Sequence, residues 1–244
     1  MVLFAVLTLA LVGLLFTLPQ YYQGVMATSA EGSGIRLLPI VGGLLAGALP
    51  ASVVAKRVGA KLTVAAGFAI LCVGLGLGAT TTVASGEAFN AIWLVIAGVG
   101  TGLTMASAAS AALVELDEER AGVGSAVLQA LKTTGAPLGS AILGSTLAAA
   151  YISHLPLAGL SPAVAVTARQ SVFGGLAVGY ALHSASLVAR VRAAFVHGMD
   201  AALVVSVGFA LAGVVLALAF LPSLRAPQAG RATMRAKAPG EPRD

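Results

Sequence analysis

Residues 35–61 read IRLLPIVGGLLAGALPASVVAKRVGAK, an apolar run that ends directly in a basic turn. A helix crosses about 30 Å of hydrocarbon with ~20 apolar residues, and the run 35–54 has that length. The pattern recurs along the chain, with apolar runs at about 2–22, 35–54, 62–84, 90–113, 123–151 and 200–222. Since a segment in lipid must satisfy its own backbone hydrogen bonds, the sequence predicts an all-α membrane protein with six transmembrane helices.

The composition excludes the other broad classes. Of the 244 residues, 58% are hydrophobic and 9% are charged. A soluble domain carries about 25% charged residues, so this chain lacks the charge to cover a water-facing surface. It is also too apolar to stay disordered, and the single cysteine, Cys72, excludes a disulfide scaffold.

The short basic loops predict the orientation. Lys56, Arg57 and Lys61 cluster between the second and third runs, which places that loop in the cytoplasm and both termini inside. The predicted domains are therefore a six-helix transmembrane domain at 1–222, with an outer segment at 152–199, and a basic cytoplasmic tail at 223–244. The tail lacks interleaved aromatic residues, so it indicates a topology signal or contact with anionic lipid, and no nucleic-acid partner.

Two alternatives concern the number of spans. Residues 1–30 could be a signal peptide, but they lack a basic n-region and their apolar run is too long. Residues 172–187 are apolar enough for a seventh span, although glycines and His183 weaken it and an odd count would move the basic tail outside. A chain that starts directly on an apolar run is expected to be an internal piece of a longer protein.

The sequence contains few residue patterns that are typical of an enzyme. His154, His183 and His197 share the outer segment without metal-ligand spacing, so no metal site and no cofactor is predicted. Residues 74–79 formally fit a dinucleotide fingerprint, but that motif needs a preceding strand, and here it lies inside an apolar run. We therefore expect a protein that is not an enzyme.

Lys132 is the main candidate for a functional residue. A lysine near the middle of a span costs about 2.5–3.5 kcal/mol, so it normally faces a bundle interior or a wet cavity. Gln129 lies three residues earlier on the same helix face, and Thr133 follows. We interpret this face as part of a translocation pathway for a substrate. The alternative is that Lys132 reaches the inner headgroups from a helix that starts later.

A second polar group lies at the outer end of the first run. Gln20 and Tyr21 could line a vestibule of the same pathway, or they could simply anchor the helix at the membrane interface. Further along the chain, small residues recur at four-residue spacing, as in Gly135 and Gly139, around Pro137. Such spacing permits close helix packing, and the proline loosens the backbone.

Several stretches resemble the C-terminal half of the major facilitator superfamily, specifically its 14-helix drug:proton antiporter branch. Residues 18–23 (LPQYYQ) and 34–39 (GIRLLP) are similar to the start of that half. Residues 129–139 (QALKTTGAPLG) resemble its Gly-rich penultimate helix, and residues 192–199 resemble the entry to its last helix. The order of these stretches along the chain carries the resemblance, which covers about residues 15–222.

The basic turn also resembles the repeated cytoplasmic-loop motif of that superfamily. The corresponding residues are Lys56, Arg57, Gly59 and Lys61, with lysine at 56 where the motif usually has aspartate. The resemblance implies twelve or more helices in two halves, each a 3+3 repeat, with substrate bound between them near the midplane. The acidic residues that usually handle protons belong to the first half, and no Asp or Glu lies deep inside the predicted spans.

These observations lead to two hypotheses for function. In the first, the chain is the C-terminal half of a proton-coupled multidrug efflux transporter that exports small lipophilic compounds by alternating access. Its partners would be the lipid bilayer, a small-molecule substrate and an N-terminal half of six or eight helices, in a bacterial plasma membrane. In the second, the chain is a non-transporting membrane scaffold or assembly partner derived from an orphaned half-transporter.

Overall fold

In a computed structural model, the described part of the chain comprises residues 2–114, 121–155, 157 and 160–221; for 109–114 and 121–135 only the helical backbone is described. This part contains helices and no strand. The helices are α1 (Val2–Gln20), continued by a π-helical turn (Tyr21–Val25), α2 (Ala30–Arg36), α3 (Leu38–Val58), α4 (Ala60–Gly78), α5 (Glu87–Val114), α6 (Ala121–His154), α7 (Pro162–Gln170), α8 (Val172–Ala181) and α9 (Ala185–Phe220).

Six helical stretches are long and apolar enough to cross a membrane. They are Val2–Val25, Ala30–Val58, Ala60–Gly78, Glu87–Ala108, Ala136–His154 and Ala185–Phe220. This finding confirms the predicted all-α membrane fold with six candidate spans. Their orientation in the membrane stays a prediction. The end of the bundle that the prediction places outside, where Tyr21 and Tyr151 lie, is called the outer end below.

The outer segment differs in detail from its predicted extent. The stretch predicted as the last span, 200–222, is the second part of a longer helix, because α9 already begins at Ala185. The Ser184 hydroxyl starts this helix by accepting a hydrogen bond from the Leu187 amide at 3.3 Å. Helix α8 has ten residues, which at 1.5 Å per residue gives about 15 Å, half the hydrocarbon thickness. It is too short to be a seventh span.

The basic turn between α3 and α4 is built on Gly59. This single residue separates the two helices and has a φ of 91°, a value that favours glycine. Its amide donates to the Ala55 carbonyl at 2.9 Å, and its carbonyl accepts the Thr63 hydroxyl at 2.8 Å. The turn thereby ends one helix and starts the next, with Lys56 and Arg57 exposed and Lys61 half-buried beside it.

Glycines set the distance between α3 and α5. A methyl group on Gly43 or Gly47 of α3 would collide with the backbone carbonyls of Val95 or Val99 in α5. On α5, Gly98 and Gly102 meet the carbonyls of α3 in the same way. The two backbones therefore touch along both helices, as small residues at four-residue spacing permit.

Helix α4 connects this pair to the remaining spans. Helix α4 packs on α5 and also on α9, α9 packs on α6 and α1, and α1 packs on α6. Large apolar side chains fill the centre, among them Leu14, Phe68, Leu71 and Leu75, none of which is accessible to solvent. Helices α4 and α9 approach closely because Gly213 leaves room for the ring of Phe68.

Neighbouring glycines of α3 provide a test of the close packing. We expect Gly43→Ala to destabilise the protein by about 1–3 kcal/mol, because the new methyl group has no room against α5. Gly42→Ala is the matched control, since nothing lies within 4 Å of its new methyl group and alanine favours the helix. Thermal unfolding of the detergent-solubilised protein measures both. Equal melting temperatures for the two variants would contradict the observed packing.

Candidate substrate groove

A groove of about 570 Å³ opens between the outer parts of α1 and α6. Pockets of this size hold drug-sized molecules. Helix α1 contributes Phe16 and Gln20, and α6 contributes Ser140, Gly144 and Ser145. Its outer end is closed by α7 and the start of α8, where the lining residues are Arg169, Gln170, Ser171 and Val172.

Close contacts fix the distance between α1 and α6, and small residues of α6 leave the space between the two helices unfilled. At the touching point, a methyl group on Gly139 would lie 3.0 Å from the Cα of Leu9. One turn further out, Leu143 fills the space beside Gly13 and is buried there. Beyond this point, nothing lies within 4 Å of a methyl group added to Gly144. The groove therefore runs beside this contact, lined on α6 by Ser140, Gly144 and Ser145, which alternate with the contact residues Gly139 and Leu143.

The walls of the groove combine aromatic surface with polar groups that are already hydrogen-bonded. Ser140 donates to the Pro137 carbonyl and Ser145 to the Ile142 carbonyl, both at 2.9 Å. Gln20 donates to the Phe16 carbonyl at 3.2 Å, and the Tyr151 hydroxyl donates to the Ala168 carbonyl at 2.9 Å. The hydroxyl protons of Ser140, Ser145 and Tyr151 are thus used within the protein.

Arg169 differs from these polar side chains because it carries a charge. It lies in the last turn of α7, is exposed, and makes no hydrogen bond or salt bridge with any described residue. No described residue that lines the groove is acidic. Among the described lining residues, the charge is therefore that of the Arg169 guanidinium, whose five N–H donors bind no other described residue.

The structure separates the predicted vestibule residues. Gln20 lines the groove, whereas Tyr21 is fully buried and does not. Asn90 links Tyr21 to Trp93: its amide nitrogen donates to the Tyr21 hydroxyl at 3.4 Å, and its oxygen accepts the Trp93 indole N–H at 3.2 Å. Tyr21 is therefore packed inside the bundle and bonded to a polar partner, Asn90, that sequence reasoning missed. The three-residue spacing of Asn90 and Trp93 on one helix was the available signal.

Asp200 was also missed, because the predicted last span began at this residue. In the structure it lies within the continuous helix α9, and its Oδ1 is buried without a hydrogen-bond partner among the described residues. It is close enough to Tyr21 for its charge to act on the phenol hydroxyl. A half-buried acidic side chain therefore lies within a spanning helix, although none was expected deep inside a span.

The other predicted site residues belong to the inner part of the protein. Lys132, Gln129 and Thr133 lie in the first half of α6 together with Gly135, and their side chains fall outside the described part of the structure. Their assignment to a pathway stays a prediction. Pro137 lies inside α6 as expected, exposed, one turn below the groove.

Two outer histidines meet in the structure. The rings of His154 in α6 and His197 in α9 stack with 4.7 Å between their centroids and 22° between their planes. Within the described residues, no group of three or more metal-binding side chains occurs.

Comparison with known proteins gives no matching family model. The tetracenomycin C resistance and export protein of Streptomyces glaucescens is 27% identical over 229 residues, which cover 89% of this chain and 42% of that protein. The multidrug efflux pump LfrA of Mycolicibacterium smegmatis is 29% identical over 226 residues, 87% of this chain and 43% of that protein. An MFS-type transporter of Mycobacterium tuberculosis is 29% identical over 210 residues, 86% of this chain and 30% of that protein.

This chain is similar in sequence to MFS-type transporters and to efflux proteins. The similarity confirms the resemblance found in the sequence, and the six candidate spans are consistent with one half of such a transporter. The protein is thus a multi-pass membrane protein. The chain spans less than half the length of the curated relatives described above.

The buried link through Asn90 provides the second test. We expect Asn90→Ala to lower the stability by about 1–3 kcal/mol, because it leaves the Trp93 N–H and the Tyr21 hydroxyl without this partner. Trp93 is the single tryptophan, so its emission spectrum reports on the site directly. Thr80→Ala, at an exposed hydroxyl of the same end, is the control and should leave the emission maximum unchanged. An unaltered spectrum and melting temperature for Asn90→Ala would refute the link.

Proposed function

We propose that the chain forms the C-terminal half of a secondary-active, proton-coupled efflux transporter that exports small lipophilic compounds by alternating access. The observation that carries this proposal is the extent of the similarity to efflux proteins. The alignments cover 87–89% of this chain but only 42–43% of the two named exporters. A six-span half of a longer transporter accounts for both numbers.

The distribution of buried surface supports a missing second half. In the most apolar stretch of α5, 56% of the residues are buried, compared with 22% in the spans formed by α2–α3 and by α6. A row of large apolar side chains on α3 is exposed, including Leu38, Leu45 and Leu49. Some of this surface would face lipid. We propose that the remainder packs against the N-terminal half, because the relatives have more than half of their length outside this alignment.

The pathway for the substrate would combine the groove with the inner face of α6. Gln20 lines the outer groove, and the predicted residues Gln129, Lys132 and Thr133 lie on the same helix as Ser140 and Ser145. In this proposal Lys132 contacts the substrate or an acidic partner, since a mid-membrane ammonium needs polar company. The proton-handling carboxylates are supplied by the first half, as the family resemblance implies.

Co-expression tests this function. The chain is expressed with the N-terminal half of the Streptomyces glaucescens relative, and efflux of fluorescent lipophilic compounds (cationic, neutral and anionic) is followed from preloaded cells. We expect efflux that needs both halves and stops when a protonophore collapses the proton gradient. Lys132→Ala should reduce the rate by about tenfold, the loss expected for one charge-assisted contact.

The control is Arg190→Ala, which removes an exposed cation from α9 outside the groove and should leave the rate unchanged. Absence of efflux from the paired halves, with both halves present in the membrane, would contradict the transport function. In that case, recovery of a stable partner other than a transporter half would favour the scaffold.

A further inference from the structure

We propose that the groove between α1 and α6 selects planar apolar molecules that carry an acidic group, a carboxylate or a phenolate, and that Arg169 binds this group. The inference rests on the proposed function, because it names the substrate class of the same pathway. It starts from the charge of the groove, which has a cation and, among the described residues that line it, no anion.

The guanidinium of Arg169 is available to a ligand. It makes no hydrogen bond or salt bridge with any described residue, and it projects from the last turn of α7 at the outer end of the groove. A planar guanidinium presents paired N–H donors that match the two oxygens of a carboxylate, which makes such a contact stronger than one between neutral groups. Ser140, Ser145 and Tyr151 already donate to backbone carbonyls, and the other lining donors, such as the Gln170 amide, carry no charge.

The local backbone adds to this preference. Helix α8 begins at Val172, which lines the groove beside Arg169, and the N-terminus of a helix favours negative charge. The C-terminus of α7 ends at the same place and opposes this effect, so the two helix ends offset each other. The full positive charge of Arg169 then decides the sign of the field at the outer end of the groove.

The remaining wall favours a flat ring system. Phe16 is 53% exposed and lines the groove, so its ring offers an aromatic surface to a ligand. Opposite it, the small side chains of Ser140, Ala141, Gly144 and Ser145 leave a shallow surface along α6. A fused aromatic system would lie along this surface, with its acidic group at Arg169.

The half-buried carboxyl group of Asp200 does not line the groove and does not neutralise the charge of Arg169 there. It belongs to α9 and acts on Tyr21, which is buried away from the groove, and it is not among the lining residues. A lipophilic cation would therefore meet Arg169 without a compensating carboxylate and would be repelled. The groove discriminates by charge as well as by shape.

A matched set of fluorescent anthracenes tests the inference. The purified full chain in zwitterionic nanodiscs is titrated with 9-anthracenecarboxylate, 9-anthracenemethanol and 9-(aminomethyl)anthracene, which share one ring system and differ in charge. We expect the carboxylate to bind at least about tenfold more tightly than the amine. Arg169→Gln should remove this preference, and Arg169→Lys should retain part of it, because the charge remains but the paired donors are lost.

Arg190→Gln is the control, since it removes an exposed arginine from outside the groove and should leave all three affinities unchanged. Equal affinities for the carboxylate and the amine, or a carboxylate affinity unaffected by Arg169→Gln, would overturn the inference. The transport assay keeps the two proposals apart. If the paired halves export compounds but the purified chain shows no preference for the carboxylate, the charge selection fails and the transporter function stands.

Discussion

Close backbone contact at glycines is the constraint on which this bundle depends. In lipid, apolar helices gain no hydrophobic stabilisation by contacting each other, because the lipid tails are equally apolar. They associate where their backbones can approach closely and pack. Gly43, Gly47, Gly98 and Gly102 provide this on the α3–α5 pair, and Gly67, Gly74 and Gly100 do the same between α4 and α5. Helix α5, which packs between α3 and α4, is the candidate span with the largest buried share in the described part of the chain.

The groove lies where two helices, α1 and α6, are in close contact at some residues and leave space between them at others. Helices α1 and α6 touch at Gly139 and at the buried contact of Leu143 with Gly13, which fixes their separation. Beside this contact, nothing lies within 4 Å of a methyl group added to Gly144, so space stays open between the helices there. The two helices therefore form the walls of the candidate binding surface themselves, since they pack tightly at some residues and leave space at others.

The sequence predicted the six spans well because the requirement for them is local: each apolar run must satisfy its own hydrogen bonds in lipid. The sequence did not predict the buried link from Tyr21 through Asn90 to Trp93. An aromatic ring with a polar tip suits the headgroup region, but it also suits a buried site with a partner such as Asn90, and only the tertiary packing distinguishes these cases. Gln20 lines the groove, and its role in a vestibule stays a prediction.

Arg169 could not be assigned for a related reason. In the sequence it is one of several basic residues in the outer segment, and nothing in the spacing indicates which helix its short helix α7 will meet. The Tyr151 hydroxyl, donating to the Ala168 carbonyl at 2.9 Å, ties α7 to the end of α6 and so places the neighbouring Arg169 at the groove. A buried tyrosine of a spanning helix thus positions a charge on a short outer helix, and the chemistry of the site depends on that contact.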